Sequence, residues 1–126
     1  GNAVYGDPMQ TVLLTPTFER QAKAAGLTDE EVQDLASVIG TDPEVGDLMA
    51  GTGGARKLRF AGRGKGKSGG YRTVHYFGGT DVPVFLLALI DKGDRANLSK
   101  AERNELASIL PRLADAYRAA RKTGGR

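Results

Sequence analysis

Three runs decide the fold: RKLRFA at residues 56–61, YRTVHYF at 71–77 and PVFLLALI at 83–90. The first two alternate polar and apolar side chains and carry β-branched or aromatic groups, the pattern of a strand with one face turned to a core. The third is apolar almost throughout, which fits a strand covered on both faces. Gly62 to Gly70 joins the first two and holds only Gly, Lys, Arg and Ser, and Gly78, Gly79 and Asp81 mark the next turn. Three consecutive strands with such connections pair as antiparallel neighbours.

Working outward, Thr11–Leu14 (TVLL) predicts one more short strand. Thr15-Pro16 then opens a helix, with Thr capping free N–H groups and Pro at the first helical position; it runs through Phe18 and Ala22 to Gly26. Thr28 and Glu31 form a capping box for a second helix, with Val32, Leu35, Val38 and Ile39 on one face, closed by Gly40 and Pro43. Ser99 and Glu102 form another box, opening a helix through Leu106, Ile109 and Leu113 that Pro111 should kink or divide. The expected class is α+β: a small domain with a twisted, mainly antiparallel sheet, two N-terminal helices covering its apolar face, and a C-terminal helix. Residues 1–8, before Met9, read as a cloning remnant, 9–117 as a single domain, and 118–126 as a basic, frayed tail. The chain has no cysteine, which excludes disulfides, thiolate metal sites and a cysteine nucleophile and agrees with a reducing, cytoplasmic setting. The longest apolar run, Val84 to Ile90, is far short of a membrane span.

A net charge of +3 conceals a polar arrangement. Asp29 to Asp47 holds seven acids and no base, whereas Arg56, Lys57, Arg59, Arg63, Lys65, Lys67 and Arg72 follow one another with no acid between them. Such a local positive field suits a polyanion, although a solvated charged loop has the same composition. The segment Gly64-Lys65-Gly66-Lys67-Ser68 imitates a phosphate-binding loop, but that motif needs glycine where Ala61 stands. It also needs a helix after Ser68, and Gly69, Gly70 and a β-rich run follow instead. The single histidine, His75, leaves no cluster at metal-ligand spacing, and no serine sits on a nucleophile elbow. No cofactor is expected.

The cations themselves remain. Lys57 and Arg59 share one strand face; Arg72 on the neighbouring strand can join them, and Lys92, just past the third strand, can close the group. Four cations on one face stay in contact with solvent and surround something anionic. RNA phosphodiester cleavage fits this set, because the substrate's 2′-hydroxyl is the nucleophile and fixed cations stabilise charge on the phosphoryl oxygens. A module that binds RNA or DNA without chemistry, on the same fold, is the competing reading.

Residues 51–60 (GTGGARKLRF), 64–72 (GKGKSGGYR), the apolar strand leading to Lys92, and 98–102 (LSKAE) occur in the order seen in the HigB branch of the RelE toxin superfamily, which the chain resembles from about Gln10 to Leu110. The resemblance implies a type II toxin–antitoxin toxin: a metal-independent endoribonuclease that cuts mRNA in the decoding site of the ribosomal small subunit. It also implies inhibition by a HigA-like antitoxin with a helix-turn-helix domain. By position it assigns catalysis to Lys57, Arg59, Arg72 and Lys92, and RNA contact is expected of Arg56, Arg63, Lys65, Lys67, His75 and Tyr76. RelE-type toxins place a catalytic tyrosine shortly after the last of these basic residues, where this chain has Leu98. Lys65, Lys67, His75, Tyr76, Lys92 or a ribosomal group is left as general base.

Overall fold

In a computed structural model of the chain, the structure describes residues 9–61, 70–91 and 97–124. Along these residues run β1 (Val12–Leu14), α1 (Pro16–Ala25), α2 (Asp29–Thr41), β2 (Asp47–Leu48), β3 (Ala55–Phe60), β4 (Tyr71–Tyr76), β5 (Val84–Asp91) and α3 (Lys100–Gly124). The five strands form one sheet in the order β1-β5-β4-β3-β2. β1 lies parallel to β5, and every other neighbouring pair is antiparallel. The expected α+β class is the observed one. The two-residue β2 was not foreseen, because Asp47 and Leu48 carry too short a pattern to read.

Local chemistry accounts for the helix starts. The Thr15 hydroxyl accepts from the Phe18 N–H, with Pro16 at the first helical position. Thr28 and Glu31 exchange both bonds of a capping box, as do Ser99 and Glu102. Gly40, expected to close α2, lies inside it, and the helix ends one residue later at Thr41.

The sheet is covered on both faces. α1 and α2 place Phe18, Ala22, Leu35 and Ile39 against Tyr71, Val84, Leu86 and Leu89. On the opposite face α3 sets Leu110 against Ala55, Val74 and Ile90, and Ala114 against Val82 and Phe85. An irregularity between Val74 and His75 reconciles the two layers: Val74 pairs with Ala88 and His75 with Leu86, so β5 contributes one extra residue, Leu87. That extra residue shifts the alternation of β5 by one, so that Leu89 joins Val84 and Leu86 beneath α1 and α2 while Phe85, Ala88 and Ile90 face α3. Each buried Leu, Ile, Val or Phe contributes about 1.5–3 kcal/mol relative to exposure, so these layers dominate stability.

Pro111 lies inside α3 without dividing it. Leu110 and Ala114 on either side of it are buried against the sheet and hold one continuous helix in place. Residues 118–124, expected to fray, are the last turns of α3. The Arg118 guanidinium bonds both carboxylate oxygens of Asp81, at 2.6 and 3.0 Å, and the Gly78 carbonyl at 2.8 Å, while Arg121 donates to the Asp81 carbonyl. These bonds fasten the helix end to the turn between β4 and β5. Arg118 in return holds the Asp81 carboxyl below its ordinary range, chiefly through their hydrogen bond. Among the described residues no helix is long and apolar enough to cross a membrane.

Candidate functional site

Strand parity and register place the basic side chains. Arg59 pairs directly with Arg72, Lys57 with Val74, and Arg72 with Ile90. Val74 and Ile90 belong to the core beneath α3, so Lys57, Arg59 and Arg72 point to that same face. α3 covers the other end of this face, over Ala55, Val74 and Phe85. Arg59 is exposed and Lys57 and Arg72 are half-buried.

Residues directly opposite on antiparallel strands have Cβ atoms only about 4.5–5.5 Å apart, and like charges there repel. Arg59 and Arg72 are such a pair. Among the described residues no carboxylate pairs with either one. Arg72 donates instead to the Asn97 side-chain oxygen at 3.1 Å, a neutral acceptor that leaves its charge in place. The arrangement is a cationic concentration open to an anion.

The strand ends give it surroundings. Phe60 pairs with Tyr71 and Tyr71 with Asp91, so the end of β3, the start of β4 and the end of β5 lie side by side. Ala61, Gly70 and Asp91, the described residues that border 62–69 and 92–96, therefore lie at this one end of the sheet. Arg63, Lys65, Lys67 and Lys92, named from the sequence, lie outside the described residues. The Gly70 that follows the connector leads directly into strand β4, without the helix a phosphate-binding loop requires.

Three residues expected to contact RNA stand apart from this group. Arg56 faces the α2 side, opposite His75, and donates to the carbonyls of Glu44 and Gly46 at 2.9 and 3.3 Å. His75 is completely buried there, 3.0 Å from the Pro43 carbonyl through Nε2, and its Nδ1 has no hydrogen-bond partner among the described residues. Burial, with a smaller contribution from Arg56, pushes the imidazole below its ordinary value. Tyr76 shares the α3 face but lies at the far end of β4, its ring against Gly54 and Gly78 and packed among Val74, Phe85 and Leu113. The alternation of strand side chains that unites Lys57 with Arg59 also separates Arg56 and His75 from them.

Leu98, which the resemblance sets against a tyrosine, is buried with Val74, Ile90 and Leu110. Asn97 is the member that sequence reasoning missed. Its partner Arg72 is 25 residues away, and nothing in a loop asparagine announces a strand arginine. Among the described residues no three His, Asp or Glu side chains are grouped to hold a metal ion. Residues 10–122 match the family model described as the RelE toxin of the RelE/RelB toxin–antitoxin system.

Proposed function

We propose that this chain, which belongs to the RelE toxin family of toxin–antitoxin systems, is a ribosome-dependent endoribonuclease whose cationic sheet face cuts mRNA in the decoding site. The observation that carries the reading is the Arg59–Arg72 cross-strand pair, accessible to solvent near the end of β3 and the start of β4. Two guanidinium groups held against their own repulsion bind a phosphodiester better than either would alone. Their charge does not vary across physiological pH, and each can fork two donors onto phosphate oxygens.

The substrate's 2′-hydroxyl attacks the adjacent phosphorus as it gives up its proton, and the bond to the 5′-oxygen breaks as that oxygen takes a proton from a second, charged lysine of the basic set, leaving a 2′,3′-cyclic phosphate and a free 5′-hydroxyl. As phosphorus becomes five-coordinate, negative charge grows on its non-bridging oxygens. Arg72 and Arg59 stabilise that state more than the ground state, with Lys57 and Lys92 completing the group. With leucine in place of the family's tyrosine and His75 buried on the other face, the proton of the 2′-hydroxyl goes to a lysine, drawn from Lys65, Lys67 and Lys92. Clustered cations lower a lysine's pKa and so fit it for that step. The Gly/Lys connector supports assignment to the HigB branch, whose inhibitor would be a HigA-like helix-turn-helix antitoxin.

The test is cleavage of a defined mRNA on programmed ribosomes, with the product ends identified. The expected result is one cut in the decoding site, a cyclic phosphate at the new 3′ end, and no cut when that nucleotide is 2′-deoxy. Binding to the ribosome without any cut would replace this reading with that of a non-catalytic RNA-binding module.

A further inference from the structure

We propose that Asn97 is a positioning residue for Arg72: its side-chain oxygen fixes the guanidinium in the orientation that meets the phosphoryl oxygens while leaving the charge undiminished. This rests on the reading of Arg72 given above. A guanidinium only donates, so the atom that Asn97 presents at 3.1 Å from Arg72 must be the amide oxygen. A carboxylate in that place would hold Arg72 as firmly but would cancel the charge that the transition state needs. An amide holds without cancelling.

Asn97 is suited to the task because it is itself fixed from the next two residues on. Leu98 is buried against Val74 and Ile90, the strand neighbours of Lys57 and Arg72. Ser99 is locked by the capping box with Glu102, its N–H donating to the Glu102 carboxylate at 2.8 Å and its hydroxyl accepting from the Glu102 N–H at 3.1 Å. The start of α3 is thereby tied to β4 and β5, and Asn97 projects from that junction. Arg72, on the strand, has a long side chain with several rotatable bonds, and it faces a second arginine that repels it. Without an acceptor, that repulsion favours orientations that carry it away from Arg59, and hence away from the point where both must meet one phosphate. A group held on a rigid element by a second contact loses less on reaching the transition state.

The experiment is a double-mutant cycle in single-turnover cleavage on programmed ribosomes, with wild type, Asn97→Ala, Arg72→Ala and the double variant at saturating enzyme, alongside thermal melts. Asn97→Ala should slow the saturated step about 10- to 100-fold, the usual cost of a misplaced group, without changing the half-saturating concentration or the melting temperature. In the Arg72→Ala background the same substitution should cost less than about twofold, since nothing is left to position. Asn97→Asp, which keeps the acceptor but adds a charge, should fold normally and lose about 10²–10³-fold, the cost of losing a transition-state donor. An equal loss from Asn97→Ala in both backgrounds, or a fall in melting temperature that accounts for it, would overturn the assignment. So would wild-type cleavage by Asn97→Asp. Wild-type cleavage by Arg72→Ala would instead overturn the reading of Arg72. The same cycle, run on ribosome affinity across salt concentrations, would then decide whether Asn97 orients Arg72 for binding; equal losses there in both backgrounds would remove Asn97 from any role through Arg72.

Discussion

Gly46→Ala links the fold to the site. Gly46 immediately precedes β2 and has φ +88°, a left-handed conformation that costs an L-residue about 1–2 kcal/mol. A methyl group there would also overlap the carbonyl oxygen of Lys57 on β3. Backbone cannot rotate out of the way as a side chain can, so either the 42–46 turn or β3 must move. Movement breaks the register of Asp47 with Lys57 and disturbs the Arg56 bonds to the Glu44 and Gly46 carbonyls. Each backbone hydrogen bond lost contributes about 0.5–1.5 kcal/mol, which brings the expected destabilisation to about 2–4 kcal/mol. That is a large part of the 5–15 kcal/mol, roughly, that a domain possesses. Gly51→Ala is the internal control: φ is +76°, but a methyl group there meets nothing within 4 Å, so only the conformational cost of about 1–2 kcal/mol applies. Urea unfolding with a shared m-value reads both differences from the midpoints. Equal losses for the two variants, or a Gly46→Ala protein within about 0.5 kcal/mol of wild type, a typical surface-substitution effect, would refute the close approach of turn and β3.

Three further outcomes are expected. His75 is the chain's one histidine, and burial lowers its folded-state value below the usual 6.5. Its contribution to stability is therefore full above that usual value and is lost as pH falls from it through the folded value; urea midpoints at about pH 7.5 and 5 should show this loss, and His75→Leu should flatten it. Leu110→Ala, at a fully buried contact of α3 with the sheet, should cost about 2–5 kcal/mol by chemical denaturation. Arg56→Ala should reduce stability by loosening the 44–46 turn yet leave the saturated cleavage rate unchanged in single-turnover assays, because Arg56 faces away from Arg72.

The legible parts of the molecule are those fixed by local chemistry or by period. Caps at Thr15, Thr28 and Ser99 placed the helix starts, and alternation in β3 placed Lys57 beside Arg59. That same alternation, applied to Arg56 and His75, would have put them on the opposite face; charge and residue type alone had grouped them with the others. What was not legible depends on contacts between distant residues. The parallel β1–β5 pairing, the Arg118–Asp81 clamp and the Arg72–Asn97 bond each join segments 25 or more positions apart. Of the kink or division expected at Pro111, division does not occur, because the local tendency to break the helix is outweighed by burial on both sides of it.

The proposed action of Arg72 on the transition state is read from the rate of mRNA cleavage on programmed ribosomes at saturating enzyme. Arg72→Ala is expected to retain ribosome binding and the wild-type melting temperature while the saturated rate falls about 10²–10³-fold. Cleavage at the wild-type rate once saturated would instead reduce Arg72 to a binding contact and rule out its action on the transition state.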